Sequence, residues 1–382
     1  MRYRLTCLTP TLVGDGRKLA PIDYMVWKDQ VNVLDQWRIF RLLAKGPRLE
    51  GYLSQLKKAE KLDFASWGGF AQNFADRRIP FENPAYSAYW NRALGESLHI
   101  PTFSAGPCGH YLPGSPVKGA LRTGMVFAHW RDGMLQDLRG KVKGERLPRR
   151  PAELVEEQAL GNPGANRMRF VGMGDSAVVD NSRFRIYLLR TSTLQPRAGG
   201  YALGWKVSPR GTADGPRAED STPVFAEMAD PGTTFTGVWD EKTFFLQADV
   251  RRAVRWPEAF GRARIFEAAN VYAAGLIALQ KQYAETARLD LLHRNLIDLE
   301  QRLEWARQNG ACLLSIGWGS GLLAKSAWLD TTNADYREIL QQYTLYNRAL
   351  SSNLPFPKTR KVVFLGNKPA TLPGWVELRV DG

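Results

Sequence analysis

RYRLTCLTPTLVGDGRKLAPIDY, residues 2–24, decides the fold class. Tyr3, Leu5 and Cys7 alternate with Arg2, Arg4 and Thr6, which is the period of a strand with one buried and one basic face. Pro10 has no N–H for a ladder and ends that strand. Glycines and polar residues then form a loop leading to a hairpin, Met25–Trp27 with Val31–Leu34. Asp35 next caps a short helix, DQWRIFRLLA, and residues 49–76 read as helical, rich in lysine at their start. Strand, glycine-rich loop and helix in this order indicate an α+β chain with ferredoxin-like halves, each built on an antiparallel sheet.

Further along, GSPVKGALRTG (114–124) reads as a helix start, with Ser115 as N-cap and Pro116 at the first helical position. Val117, Leu121, Met125 and Ala128 recur at core-facing spacing. Lys118 and Arg122 stand four apart on another face, where they repel each other and oppose the helix dipole. A bound phosphate would offset both costs; a solvated basic face is the alternative, and these residues alone leave both open. Gly114 and Gly119 fit two positions of a nucleotide-binding loop, but Ala120 and Leu121 replace its Lys and Ser/Thr, which excludes that chemistry.

RGKVKGERLPRR (139–150) is dense in Lys and Arg and reads as a mobile loop, a candidate electrostatic contact if RNA is the partner. RFVGMGDS and RFRIYLLR read as strands, and 208–223 as an exposed insertion. FAEMADPGTTFTGVW gives strand, turn, strand, and TFFLQADV another strand. A long helical stretch from about 257 to 308 follows, ending at Asn309-Gly310. CLLSIGWGSGLLAKSAWL reads as a buried strand, a glycine-rich loop and a helix, and RKVVFLG with WVELRV as a closing hairpin. The pattern suggests two related halves, 1–180 and 181–382 (the first with a helical insertion, the second with the long helix and glycine-rich loop).

The 382 residues carry a net charge of +14, which points to a polyanionic partner. Three scattered cysteines form neither a zinc knuckle nor a disulfide framework, and no apolar run is long enough to span a membrane. The expected setting is the cytoplasm. Gly317, Gly319 and Gly321 fail the dinucleotide fingerprint at Leu322, yet alternate glycines let a backbone approach something closely, with Lys325 one turn on. The four histidines lack metal-ligand spacing, and only His110 lies near the 114–124 segment. Asp15 and Asp23, in the first glycine-rich loop, suit Asx-turns better than catalysis. The residues by themselves therefore describe a basic α+β nucleic-acid binder needing no cofactor.

Six blocks together resemble the RAMP superfamily of CRISPR proteins, and within it the family of the fifth subunit of the type III-A Csm complex. They are LTPTLVGDGRKLAPIDYMV (8–26), YLPGSPVKGALRTG (111–124), RFVGMGDS (169–176), EMADPGTTFTGVW (227–239), SIGWGSGLLAKS (315–326) and PFPKTRKVVF with PGWVEL (355–378). They run in family order along nearly the whole chain, with Pro116-Val117 in place of the usual Ser-Ile. The resemblance implies a RAMP fold and a non-catalytic subunit that caps the 3′ end of the guide RNA (crRNA) at the head of a filament of backbone subunits. It also implies help in guide maturation by presenting that end to host nucleases, with target RNA met indirectly. Carried over residue by residue, Ser115, Lys118 and Arg122 would contact guide phosphates, as would Gly317, Gly319 and Gly321, with Lys325 nearby. The runner-up is an endoribonuclease using Asp15, Asp23 or His110.

Overall fold

The computed structural model describes residues 1–46, 48–58, 61–62, 73–131, 133–144, 146–208, 214–256, 261–343, 346, 350 and 355–381. Its central unit is assembled from segments far apart in sequence. These are β1 (Arg2–Cys7), α1 (Gly114–Ala128), β2 (Val171–Ser176), β3 (Thr234–Glu241), α2 (Arg262–Thr286) and β4 (Trp375–Asp381). The strands stand in the order β4-β1-β3-β2, all antiparallel, with Cys312–Ser315 as a further edge strand on β4. A β-α-β-β-α-β chain in the order 4-1-3-2 is the ferredoxin-like arrangement. The α+β antiparallel class read from residues 2–24 is the class observed. Strands from either side of residue 180 share this one sheet, so the sheet does not divide at the boundary drawn from the sequence.

Alternation in β1 does what its pattern requires. Tyr3, Leu5 and Cys7 are buried while Arg2 and Arg4 face solvent. Leu5 lies opposite Phe235 on one side and Leu378 on the other, all three fully buried. Each such side chain contributes roughly 1.5–3 kcal/mol of transfer free energy. On the buried side α1 crosses α2 closely: a Cβ on Gly124 would sit 2.8 Å from the Ala269 Cα. Val117, Leu121 and Met125 are buried at this contact, whereas Ala128, expected among them, is exposed.

A second sheet is organised on the 14-residue strand Phe184–Arg197. Its first part pairs with Val224–Ala229, its last part with Gly200–Lys206, and its middle with Thr359–Leu365. An inserted module, residues 24–80, carries a three-stranded sheet (Tyr24–Trp27, Gln30–Leu34, Ala75–Pro80) and helices Gln36–Leu43 and Leu49–Lys58. Asp35 caps the first of these helices through the Arg38 N–H, as read.

Several sequence readings change. The helix expected over 49–76 stops at Lys58 among the described residues, and Ala75 already belongs to a strand paired with Gln30–Leu34. TFFLQADV forms a 3-10 turn and the helix Ala248–Ala253, because Phe245 turns in to stack on Trp256 while Phe244 stays exposed. Such a short apolar run carries no period that distinguishes strand from helix. The stretch from 257 to 308 is two helices, α2 and Asp290–Gln308, broken where Arg288 takes φ +53°; residues 257–260 lie outside the described set. The glycine-rich loop after Ser315 is not followed directly by a helix, since turns and bends run on to Ala334.

The expected hairpin of Met25–Trp27 with Val31–Leu34 forms, but the strand–turn–strand of 225–239 and the closing hairpin do not pair as drawn. Val224–Ala229 and β3 join different sheets, and Thr359–Leu365 folds back on Lys368–Thr371 while β4 crosses to the central sheet. The basic segment 139–150 begins inside the helix Met134–Val142. There Arg139 and Lys143 pair with Glu338, and Arg139 also with Asp335. Within the expected exposed insertion 208–223, residues 209–213 lie outside the described set. Among the described residues no helix is long and apolar enough to cross a membrane, and the three cysteines are unpaired.

Candidate nucleic-acid interface

The start of α1 is preceded by Pro113, not capped by Ser115, which is exposed in the first turn. Gly114 presses against β2, where a Cβ would meet the Met173 carbonyl oxygen at 2.5 Å. Its N–H donates to Asp175 Oδ1 at 2.9 Å. The anion that a helix start favours is thus supplied by the chain itself. Lys118 Nζ donates to the Val171 carbonyl at 2.6 Å. Burial, with Lys242 and Arg122 close by, holds its pKa below the usual lysine value. Ser115 and Lys118 border a hollow of about 560 Å³ shared with Glu153, Glu156 and Glu157.

Arg122 lies at a divide. It stands 3.5 Å from Glu156 on that acidic side. It also lines a groove of about 550 Å³ on the other side, between the loop Leu12–Lys18, one face of α1 and the glycine-rich loop. Arg17, Lys18, Arg122 and Lys325 are the cations of this groove, and backbone at Gly14, Gly16 and Gly317 forms part of its wall. The fold therefore brings Arg122, Gly317 and Lys325 together and leaves Ser115 and Lys118 facing the glutamates.

Two of the three signature glycines make close contacts with other parts of the chain. Gly317 adopts φ +78°, and a Cβ there would lie 2.2 Å from the Leu12 carbonyl oxygen. Next to it the Trp318 N–H donates to that same oxygen at 2.7 Å, joining the two loops. Gly319 at φ +87° abuts Pro373, and Gly321 at φ +86° faces open space. Behind the loop, Lys361 Nζ sits 4.6 Å from the centroid of the Trp318 ring, and burial lowers its pKa.

The runner-up catalytic residues are dispersed. Asp15 is exposed; Oδ1 accepts the Arg17 N–H at 3.0 Å and the carboxylate pairs with the Arg17 side chain at 3.3 Å. Asp23 accepts the Ala20 N–H at 2.7 Å and Gln36 Nε2 at 2.8 Å; the Asx-turn geometry expected of both aspartates is made by Asp15 and not by Asp23. His110 is buried, stacked on Phe184 at 4.2 Å, with Nε2 2.7 Å from Arg77 and Nδ1 2.8 Å from Asn181. Its network closes on Glu227, which is fully buried and bonded to Arg77. Burial raises the Glu227 pKa, yet His110 and Arg77 outweigh it and hold the carboxyl below its ordinary value. Among the described residues no group of three or more His, Cys, Asp or Glu is placed to hold a metal ion.

Sequence reasoning passed over Arg17 and Lys18, whose signal was their position directly after Gly-Asp-Gly. It also missed the Arg77–Glu227 pair, whose partners meet only through tertiary packing.

The sequence profile of the RAMP superfamily matches residues 4–238. The chain belongs to the RAMP superfamily. Among RAMP relatives it is similar to a Methanocaldococcus jannaschii protein named "CRISPR system Cms protein Csm5", 20% identical over 99% of this chain and 88% of the relative. The fold is also that of a chain in the cryo-EM structure of a Csm–crRNA–target RNA ternary complex of a type III-A CRISPR-Cas system. There the TM-score is 0.67 at 19% identity, covering 99% of this chain and all of the other. Against the crystal structure of T. onnurineus Csm5 the TM-score is 0.62 at 16% identity, covering 98% and 99%. The RAMP match thus extends as a shared fold over essentially the full chain.

Proposed function

We propose that this chain is a guide-RNA-binding subunit of a type III-A CRISPR effector complex, without catalysis of its own. It grips the 3′ part of the crRNA beside related backbone subunits and presents that end for trimming by host nucleases. The observation that carries this reading is the groove, where Arg17, Lys18, Arg122 and Lys325 surround a wall of backbone at glycines. Cations lining one groove neutralise phosphates, and phosphate contacts position a strand without reading its bases. The full-length likeness to Csm5 and to a chain of a Csm–crRNA complex supports the choice of RNA and of neighbouring Csm subunits as partners.

Within this reading the glycine loop acts indirectly. Gly317 lets the loop dock on Leu12, and the docked pair sets the groove's width. Lys118 anchors α1 to β2 and takes no phosphate. Asp23 and His110 are committed to structural hydrogen bonds, which leaves Asp15 as the exposed carboxylate near the groove.

The test is to purify the tagged protein from cells carrying its neighbouring genes and a CRISPR array, and to sequence the 3′ ends of the co-purified RNA. Repeat-derived guides with defined 3′ ends, altered by Arg122→Glu with Lys325→Glu, are expected. Random cellular RNA would refute the reading. Magnesium-dependent cleavage of labelled RNA, lost in Asp15→Ala, would replace it with a nuclease.

A further inference from the structure

The inserted module presents an aromatic surface that the groove does not use. Helix Gln36–Leu43 turns Ile39 and Leu43 inward onto Met25, Leu34 and Tyr52. Trp37 and Phe40 remain outside, 70% and 40% exposed. They stand three residues apart, so they share a face, and their rings meet edge to face with centroids 6.2 Å apart. A tryptophan left this open is an exception to the usual burial of large apolar side chains and calls for an occupant.

Charge indicates which occupant. Between Gln36 and Lys58 the chain carries Arg38, Arg41, Lys45, Arg48, Lys57 and Lys58 against a single acid, Glu50. All six cations are exposed, and Arg41 lies four residues from Trp37, on the same side of the helix. Aromatic faces bordered by one-signed positive charge suit unpaired nucleic-acid bases, because every base has a π-face and every nucleotide brings a phosphate. A protein surface would satisfy the rings but would have to be uniformly acidic to match the surround.

We propose that Trp37 and Phe40 form a stacking platform for unpaired RNA bases, with Arg41 and Lys45 taking the adjoining phosphates. This is a second RNA surface, built on the inserted module rather than on the groove. The bases are those of the guide, so this inference rests on the proposed function, and a bound target strand is the competing source.

The full-length chain is titrated into fluorescently labelled RNA by anisotropy, over a range of salt concentrations. Trp37→Ala with Phe40→Ala is expected to weaken single-strand binding about tenfold, the loss of one stacked base, with the salt slope unchanged. Trp37→Phe retains a ring and stays close to the parent. Arg41→Ala lowers the salt slope by about 0.7, one phosphate contact. Annealing a complement to the RNA removes the difference between parent and Trp37→Ala.

Parental affinity in the double alanine variant would overturn the proposal, as would equal losses on duplex and single strand, or a Trp37→Phe variant as weak as the alanine one. Parental RNA affinity with loss of a co-purifying subunit would reassign the patch to a protein interface. Photocrosslinking with label on the guide or on the target strand tests the source: a Trp37-dependent crosslink on the guide supports the platform, and one on the target strand alone, or none on both, overturns it. Because Arg122→Glu with Lys325→Glu probes the groove separately, the two RNA surfaces fail independently.

Discussion

Gly317→Ala separates two accounts of the glycine-rich loop. One holds that the glycines let RNA approach the backbone; the other, taken from the geometry, that Gly317 lets this loop reach Leu12. At φ +78° an alanine incurs about 1–2 kcal/mol of left-handed strain. Its Cβ would also stand 2.2 Å from the Leu12 carbonyl oxygen, so the loops must part by about 1 Å, well outside ordinary packing tolerance. That movement breaks the 2.7 Å bond from Trp318, a net loss of about 1 kcal/mol. Together the expected destabilisation is about 2–3 kcal/mol. Gly321→Ala is the control: its φ is equally left-handed, at +86°, but nothing lies within 4 Å of the added methyl. Only the strain remains there, about 1–2 kcal/mol. Denaturant unfolding of the full chain, with midpoints compared at a common slope, measures both. A Gly317→Ala shift no larger than that of Gly321→Ala would refute the reasoning, most clearly if RNA affinity fell at unchanged stability.

Three further outcomes are expected. Arg122→Ala lowers the salt slope of single-strand RNA binding by about 0.7, whereas Lys118→Ala leaves it unchanged, because Lys118 is bonded to the Val171 carbonyl; anisotropy over a salt series distinguishes them. Glu227→Ala strands Arg77 and His110 and costs about 3–5 kcal/mol, as for other broken buried pairs. The parent's share of stability from Glu227, whose pKa is depressed on folding, is present above the unfolded glutamate value near ~4.3. It is lost as pH falls from there through the lower folded value, so the stabilities of parent and variant should begin to converge below about pH 4.3 and meet only once the folded carboxyl is protonated. Asn270→Leu removes the partner of both the Ala311 carbonyl and the Leu313 N–H in a buried site, and thermal or denaturant melting should register about 2–4 kcal/mol.

Local periodicity carried much of the fold into view. The alternation of Tyr3, Leu5 and Cys7 against Arg2 and Arg4 fixed a strand and its faces, and Val117, Leu121 and Met125 fixed the buried side of α1. What periodicity does not hold is pairing. Nothing in GVW or WVEL says that these strands flank β1, so each was read with its sequence neighbour, in pairings that the sheets do not contain. The candidate site divided along the same line. Arg122 and Lys325 were visible as cations beside glycines, and they do meet in one groove. Lys118, chemically indistinguishable in the sequence, turned out to face the glutamates, because its direction is set by β2, far along the chain. The cap behaved likewise: Ser115 suited the position by type, but Asp175 arrived from β2 to take the Gly114 N–H.

The position of β1 carries a burden during synthesis. Leu5 is made about 370 residues before Leu378, its partner on β4. At ~10 residues per second the ribosome needs on the order of half a minute to deliver β4. Throughout that interval one side of β1 is an open ladder able to pair with any extended segment nearby, including the same strand on an adjacent nascent chain. Arg2 and Arg4 are exposed on β1, and charged side chains on an open strand disfavour such pairing. The charge that suits a binding surface in the finished molecule is also the kind that keeps a half-made sheet apart from its neighbours until β4 arrives.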